Sequence, residues 1–232
     1  MSRFGVGDAP PLRGAGFIGN PFRALSETEW QEISLVPDTV RTILEREDDA
    51  HLQVLGAAGH GKSSVLRAMM REARQRRISA VYEYIPNGAD RFLTDVPRGC
   101  WFCLDEVQRL STPERTRLLG VSQKRDLRLF LGSHEDLGAL FERVGVRLAT
   151  VTLDIPDAVH FDAVLRNRLA YFALPDKPCA TLSEDTFVFL RERFGSNLRQ
   201  TERFLFDFFQ LSVRTPKPIT AKQLSRESES LP

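Results

Sequence analysis

Apolar residues recur along this chain with two spacings, one typical of buried strands and one typical of helices. Five short apolar runs have the length of strands: residues 51–55, 79–85, 100–104, 127–131 and 148–153. After the first run, Val65, Leu66, Met69 and Met70 lie at the spacing of one helix face, over 62–75. Further helices are predicted over 111–119, 135–143 and 157–172. Because strands that alternate with helices form parallel sheets covered on both faces, the pattern predicts a doubly wound α/β core.

The regions on either side of this core have a different composition. The chain opens with residues rich in Gly and Pro, and a capping box at Ser26 and Glu29 then predicts a short helix, with another over 37–46. Beyond Pro175 and Pro178 the pattern is helical only. One helix is capped by Thr181-Leu182-Ser183-Glu184 and stopped by Gly195, and others are predicted over 197–213 and 220–227. We therefore predict three parts: a flexible N-terminal arm (1–20), an α/β core (21–175) and a small helical bundle with a polar C-terminal end (176–232).

One motif between the first strand and the next helix indicates nucleotide binding. The sequence Gly56-Ala57-Ala58-Gly59-His60-Gly61-Lys62-Ser63 fits G-x-x-x-x-G-K-[ST], the phosphate-binding loop called Walker A. Glycines in such a loop let backbone N–H groups turn inward around phosphate oxygens, and the helix that follows adds its positive end. Lys62 is expected to reach the β and γ phosphates, and Ser63 to bind Mg²⁺. The residues expected around the phosphates are Gly56, Gly59, His60, Gly61, Lys62, Ser63 and Ser64.

A second motif supplies the acidic partner of this loop. The apolar run 101–104 ends in Asp105 and Glu106, the pattern called Walker B. Ligands of open parallel sheets bind at the carboxyl ends of the strands, where both motifs are placed. We expect Asp105 to hold Mg²⁺ and Glu106 to polarise the attacking water, since phosphoryl transfer needs mainly placement and charge neutralisation.

A second glycine pattern is not a nucleotide site. Residues Gly14 to Gly19 satisfy G-x-G-x-x-G, the signature of dinucleotide-binding folds. That signature needs a strand before it and a helix after it. Pro10 and Pro11 preclude the strand, and Pro21 leaves the helix without a start. We therefore reject a dinucleotide site here.

Composition limits the function classes further. The 232 residues carry a formal charge of +1, so no global field draws the chain to nucleic acid or membrane. The arginines between Arg67 and Arg77 are interpreted as a solvated helix face. No apolar stretch is long enough to span a bilayer, and the three cysteines are interpreted as reduced structural thiols. The sequence predicts a cytoplasmic protein without membrane partners.

The two motifs and the residues after them resemble those of the AAA+ ATPases. The resemblance also includes a polar residue that closes the strand after Walker B, and the segment Gly195-Ser196-Asn197-Leu198-Arg199 in the helical tail. It covers about residues 20–230. Within that superfamily, residues 104–110 and 130–137 are similar to ATPases that regulate DNA transposition and to initiator-like and secretion-associated relatives.

The resemblance implies further site residues. Ser133 falls at the sensor 1 position, which orients water against the γ-phosphate, with His134 as the alternative. Arg199 falls at sensor 2, where the helical lid contacts the γ-phosphate. Arg143 or Arg147 would be the arginine finger given to a neighbouring subunit, and Arg143 is favoured. An arginine supplied in trans implies a homo-oligomer, either a ring or a filament.

Together these features predict an ATPase that hydrolyses ATP with Mg²⁺ at subunit interfaces and so switches or assembles a partner protein machine. A DNA-associated machine, touched through backbone phosphates, is the favoured partner. The alternative is a nucleotide-dependent oligomeric scaffold for signalling or defence with little turnover. A small-molecule kinase remains open because it shares the phosphate loop. A GTPase is disfavoured, because no [NT]-K-x-D sequence follows a strand at the proper place.

Overall fold

The computed structural model describes residues 10–46, 50–153 and 158–228 of the chain. They form two compact units. An α/β unit comprises Ser26–Ile155, and a helical unit combines Met1–Leu25 with Pro156–Pro232. The division differs from the predicted boundary near residue 175, because the last long helix before that point belongs to the helical unit.

The described residues of the α/β unit form a five-stranded sheet and five α-helices. Its strands are β1 (His51–Leu55), β2 (Ala80–Tyr84), β3 (Trp101–Asp105), β4 (Arg128–Ser133) and β5 (Leu148–Thr152). Its helices are α1 (Glu27–Ile33), α2 (Asp38–Glu45), α3 (Lys62–Gln75), α4 (Thr112–Arg125) and α5 (Gly138–Glu142). The sheet is parallel with the order β2-β3-β4-β1-β5, which confirms the predicted α/β fold class.

The strand order decides where the two motifs lie. β4 is inserted between β1, which leads into the phosphate loop, and β3, which ends in the acidic pair. Leu55 pairs with Ser133, and Asp105 pairs with Gly132. All three strands therefore end at the same rim of the sheet, and the tip of β4 lies between the motifs.

Both faces of β3 are buried, as its continuous apolar sequence predicts. Trp101 and Cys103 pack in a cluster with α3, while Phe102 and Leu104 pack in a second cluster on the opposite face. Asp105 continues the alternation and points to the α3 side, where it is fully buried.

Two helices differ in length from the prediction. α4 runs past Gly120 to Arg125, and Asp126 then ends it in a left-handed conformation. α5 begins only at Gly138, because the backbone around its start hydrogen-bonds to side chains. The N–H of Leu137 donates to Gln53 Oε1, and that of Gly138 donates to Asp136 Oδ1.

Two arginines of α3, Arg67 and Arg71, contact α1, whereas Arg74 and Arg76 are exposed, as in the predicted solvated face. The Arg71 guanidinium donates to three backbone carbonyls at the end of α1, those of Gln31, Glu32 and Ser34. Arg67 pairs through Nε with Glu27 at 3.1 Å. Helix α1 is thus held against α3 by charged side chains that satisfy its unpaired carbonyl groups.

The helical unit contains α6 (Ala158–Phe172), α7 (Glu184–Phe194), α8 (Leu198–Ser212) and α9 (Ala221–Ser228). The expected flexible arm is corrected here for residues 10–20, while residues 1–9 lie outside the described part. Phe17 is fully buried and meets Phe209 edge-on at 5.8 Å, and the N–H of Ile18 donates to the Phe172 carbonyl. Burial of apolar residues in this segment orders it in spite of its Gly and Pro content.

The rejected G-x-G-x-x-G pattern lies in this packed segment. Gly16 has a φ of +89°, and a Cβ there would stand 2.2 Å from the Pro178 carbonyl oxygen. The pattern follows a single 3-10 turn, Pro10–Arg13, in place of a strand. Its glycine therefore serves a close approach of two backbone segments.

Candidate nucleotide-binding site

The phosphate loop has the backbone geometry that its glycines predict. Gly59 and Gly61 have φ values of +88° and +91°, in the left-handed region where a side chain is strained. Gly61 is also the N-cap of α3. The first N–H groups of a helix have no partner within it, and those of Lys62, Ser63 and Ser64 therefore face the loop end with the positive end of the dipole. This arrangement suits an anion.

Lys62 is enclosed by the loop. Its side chain is 5% exposed, and Nζ donates to the carbonyls of Gly56 at 2.7 Å and Ala57 at 3.0 Å. The same Nζ lies 3.3 and 3.4 Å from the two ring nitrogens of His134. The loop thus orients a buried cation at the start of α3.

Asp105 is held on several sides at the end of β3. Its Oδ2 accepts hydrogen bonds from Ser63 Oγ at 2.5 Å and from the Tyr82 hydroxyl at 3.0 Å. Its Oδ1 accepts from the N–H of Glu106 at 3.0 Å. A Cβ at Gly132 would stand 2.5 Å from Oδ1, so only glycine leaves room for this carboxylate.

The donor set at this point suits Mg²⁺. A hydroxyl oxygen and a carboxylate oxygen lie side by side, and hard oxygen ligands of this type are those that Mg²⁺ takes. Within the described residues, no group of three or more His, Cys, Asp or Glu side chains is placed to hold a metal ion. An ion held by Ser63 and Asp105 would therefore draw its other ligands from phosphates and water, as Mg²⁺ commonly does.

The Glu106 side chain is held in place by contacts with neighbouring side chains. Its φ of +63° is left-handed, and the side chain is 14% exposed. Oε2 accepts from Gln108 Nε2 at 2.8 Å and from an Arg109 guanidinium nitrogen at 2.9 Å, while Oε1 is 3.4 Å from His134 Nε2. The Arg109 ion pair and the Gln108 hydrogen bond fix the position of this carboxylate.

The two sensor 1 candidates occupy different environments. Ser133 is fully buried, and its Oγ is used in a local turn: it accepts from the Glu135 N–H and donates to the Glu135 carbonyl. His134 reaches Lys62 and Glu106 with its imidazole ring. The Ser133 hydroxyl is bonded within the turn, whereas the His134 ring faces Lys62 and Glu106, and the assignment of sensor 1 to Ser133 stays a prediction.

The three remaining arginine candidates are exposed. Arg143 ends α5, and Arg199 lies in the first turn of α8 in the helical unit. Arg147 directly precedes β5, and its carbonyl accepts from the N–H of His51 at the start of β1. Its backbone is therefore at the amino-terminal rim of the sheet, opposite the rim that carries the phosphate loop.

Three residues of the site escape sequence reasoning. Gln108 and Arg109 follow Walker B directly, so their nearness to Glu106 in the sequence is a usable signal. Tyr82 has no such signal, because it reaches Asp105 from the neighbouring strand.

The cysteines match the prediction: all three are free, and burial raises the pKa of the Cys103 thiol.

Comparisons with known proteins bear on the fold. No protein-family model matches the chain, and no curated protein matches it. Solved structures do. The RuvB Holliday junction branch migration motor of Thermotoga maritima is 16% identical with a TM-score of 0.57, over 91% of this chain and 73% of RuvB.

Two further structures have the same fold. NtrX from Brucella abortus in complex with ADP is 17% identical with a TM-score of 0.53, over 86% of this chain and 59% of NtrX. The replication initiator DnaA, bound to AMPPCP and single-stranded DNA, is 17% identical with a TM-score of 0.53, over 87% and 68% of the two chains. The chain therefore has the AAA+ P-loop ATPase fold.

Proposed function

We propose that this chain is an ATPase that binds ATP with Mg²⁺ and hydrolyses it. The observation that carries the proposal is the meeting of Ser63 and Asp105 at 2.5 Å, which joins the phosphate loop to the acidic strand end at one rim. The likeness to RuvB, NtrX and DnaA supports the fold, and at this identity it supports the activity only as an analogy.

The proposed roles follow from the geometry. The turn at Gly59 and Gly61 and the N–H groups at the start of α3 bind phosphate oxygens, and Lys62 adds a cation there. Ser63 and Asp105 hold Mg²⁺, which neutralises phosphate charge when it is bound. Glu106 orients the attacking water, and His134 takes the sensor 1 role. Glu106 is the carboxylate that we propose accepts a proton from that water.

We further propose that the active form is a homo-oligomer with the site at a subunit interface. Arg147, on the opposite rim from its own phosphate loop, and the exposed Arg143 are candidates to act on a neighbour's site, and Arg199 is the sensor 2 candidate. Mixing protomers tests this. Arg143→Ala and Lys62→Ala are each expected to be inactive, and a mixture regains activity only if an intact loop meets an intact arginine from another subunit.

The proposed partner is a protein machine associated with DNA, in the cytoplasm. RuvB is a Holliday junction branch migration motor and the DnaA structure contains single-stranded DNA, which favours this partner class by analogy. ATP-dependent DNA binding that weakens with salt would support it. No binding to duplex or single-stranded DNA at low salt would remove it.

The decisive experiment measures binding and turnover separately. We expect Lys62→Ala to abolish ATP binding, because it removes the only side-chain cation of the motif. We expect Glu106→Gln to bind ATP normally while phosphate release falls about 10²-fold or more. Thermal unfolding of both variants, compared with the wild type, checks that each keeps its fold. Retained ATP affinity in Lys62→Ala would refute the proposal.

One observation favours the second candidate, an oligomeric scaffold that binds ATP with little turnover. Arg109 and Gln108 both bind the Glu106 carboxylate, which restrains the side chain that would orient the attacking water. On this alternative, Glu106→Gln leaves turnover unchanged while Lys62→Ala still abolishes binding. A kinase would instead transfer phosphate to an added acceptor.

A further inference from the structure

Tyr82 contacts the carboxylate that is expected to hold the metal, although it lies outside both motifs. Its hydroxyl is 3.0 Å from Oδ2 of Asp105, the same oxygen that accepts from Ser63. Tyr82 lies on the edge strand β2, where its backbone pairs with Cys103. The phenol side chain is long enough to cross one strand spacing, roughly 4.8 Å, and so to reach the end of β3.

The ring of Tyr82 is held in place by α3. The Arg67 guanidinium lies over the ring, 4.5 Å from its centroid, and also forms an ion pair with Glu27 of α1. The hydroxyl of this fixed ring donates to Oδ2 of Asp105.

We infer that Tyr82 is a positioning residue for the proposed magnesium site. Its hydrogen bond fixes the plane of the Asp105 carboxylate so that an oxygen stays beside the Ser63 hydroxyl. Partners of this kind behind a metal ligand commonly change metal affinity about 10- to 100-fold when they are removed. The inference rests on the proposed function, because it assumes that Ser63 and Asp105 hold the ion.

The test removes the hydroxyl alone. Tyr82→Phe keeps the ring under Arg67, so circular dichroism and thermal unfolding are expected to match the wild type. The apparent Kd for Mg²⁺ is measured by titration in the presence of a non-hydrolysable ATP analogue. We expect it to rise about 10-fold in Tyr82→Phe. The Kd for the analogue without metal should stay unchanged. At excess Mg²⁺ the variant should bind the analogue with the wild-type affinity.

Tyr84 supplies the matched control. It lies on the same strand, but its hydroxyl contacts Arg109 at 2.9 Å. Tyr84→Phe makes the same chemical change and should leave the Kd for Mg²⁺ at the wild-type value. Equal shifts in both variants, or no shift in Tyr82→Phe, would overturn the inference while the proposed function stands. A wild-type chain that binds no analogue even with Mg²⁺ would instead overturn the proposed function.

Discussion

The Ser63 hydroxyl donates a 2.5 Å hydrogen bond to Oδ2 of Asp105, across 42 positions of sequence. This contact joins the helix that follows the phosphate loop to the strand that carries the acidic pair. Because β4 separates β1 from β3, the Asp105 carboxylate lies beside Gly132 of β4, and His134, which follows β4, reaches Lys62.

Replacement of His134 should affect turnover, and replacement of Ser133 should affect stability. His134→Ala removes the ring that contacts Lys62 and Glu106, and we expect phosphate release to fall about 10²-fold with ATP affinity retained. Ser133→Ala removes a buried hydroxyl that makes two local hydrogen bonds, which should lower the free energy of unfolding by about 1 kcal/mol. Steady-state kinetics and urea unfolding of both variants measure the difference. The opposite pattern would return the sensor role to Ser133.

Gly132→Ala should disturb the magnesium carboxylate directly. The new Cβ would stand 2.5 Å from Asp105 Oδ1 and 3.1 Å from a methyl carbon of Leu66, so the carboxylate must move. We expect a loss of about 1–3 kcal/mol in stability, together with weaker Mg²⁺-dependent ATP binding. Gly120→Ala in α4 is the control, since its Cβ meets nothing within 4 Å. Equal stability and equal Mg²⁺-dependent ATP binding in the two variants would show that the Asp105 carboxylate tolerates a side chain at position 132.

Arg71→Ala should destabilise the docking of α1 on α3. Its guanidinium satisfies three carbonyls, and the loss of hydrogen bonds to a charged group predicts a decrease of about 2 kcal/mol in unfolding free energy. Arg74 makes one exposed contact with the Gln31 side chain, so Arg74→Ala should change stability by less than about 0.5 kcal/mol. Chemical denaturation compares the two. If Arg71 belonged to a solvated helix face, both variants would show equally small changes in unfolding free energy.

Mild acid should destabilise the α/β unit through His51. Burial, followed by the Arg128 charge, lowers the pKa of His51 to about 4 from 6.5, and its Nδ1 accepts from the Leu129 N–H. The unfolded chain binds a proton first as the pH falls, so the contribution is complete above pH 6.5 and is lost between 6.5 and 4. Between pH 7.5 and pH 5 the loss is about 2 kcal/mol.

His51→Asn tests this pH dependence. Asn keeps an acceptor for the Leu129 N–H but does not titrate in this range. Urea unfolding at pH 7.5 and pH 5 should show a smaller drop in the variant than in the wild type, by about 2 kcal/mol. Identical drops would mean that other groups cause the acid sensitivity.

The sequence by itself determined the elements that depend on residues a few positions apart. β1 and α3 have the predicted bounds, because apolar spacing defines a strand and a helix, and positive φ at Gly59 and Gly61 requires glycine. The two motifs and the parallel α/β class follow from the same kind of information.

Only the tertiary structure decided which distant groups meet. The sheet order places the tip of β4 between the motifs, and so brings His134, and not Ser133, to Lys62. The reach of Tyr82 to Asp105 and the docking of Arg71 on α1 also depend on neighbours that sequence spacing does not reveal. Hydrogen bonding within an element depends on residues a few positions apart, whereas these contacts depend on which strands and helices become adjacent when the core packs.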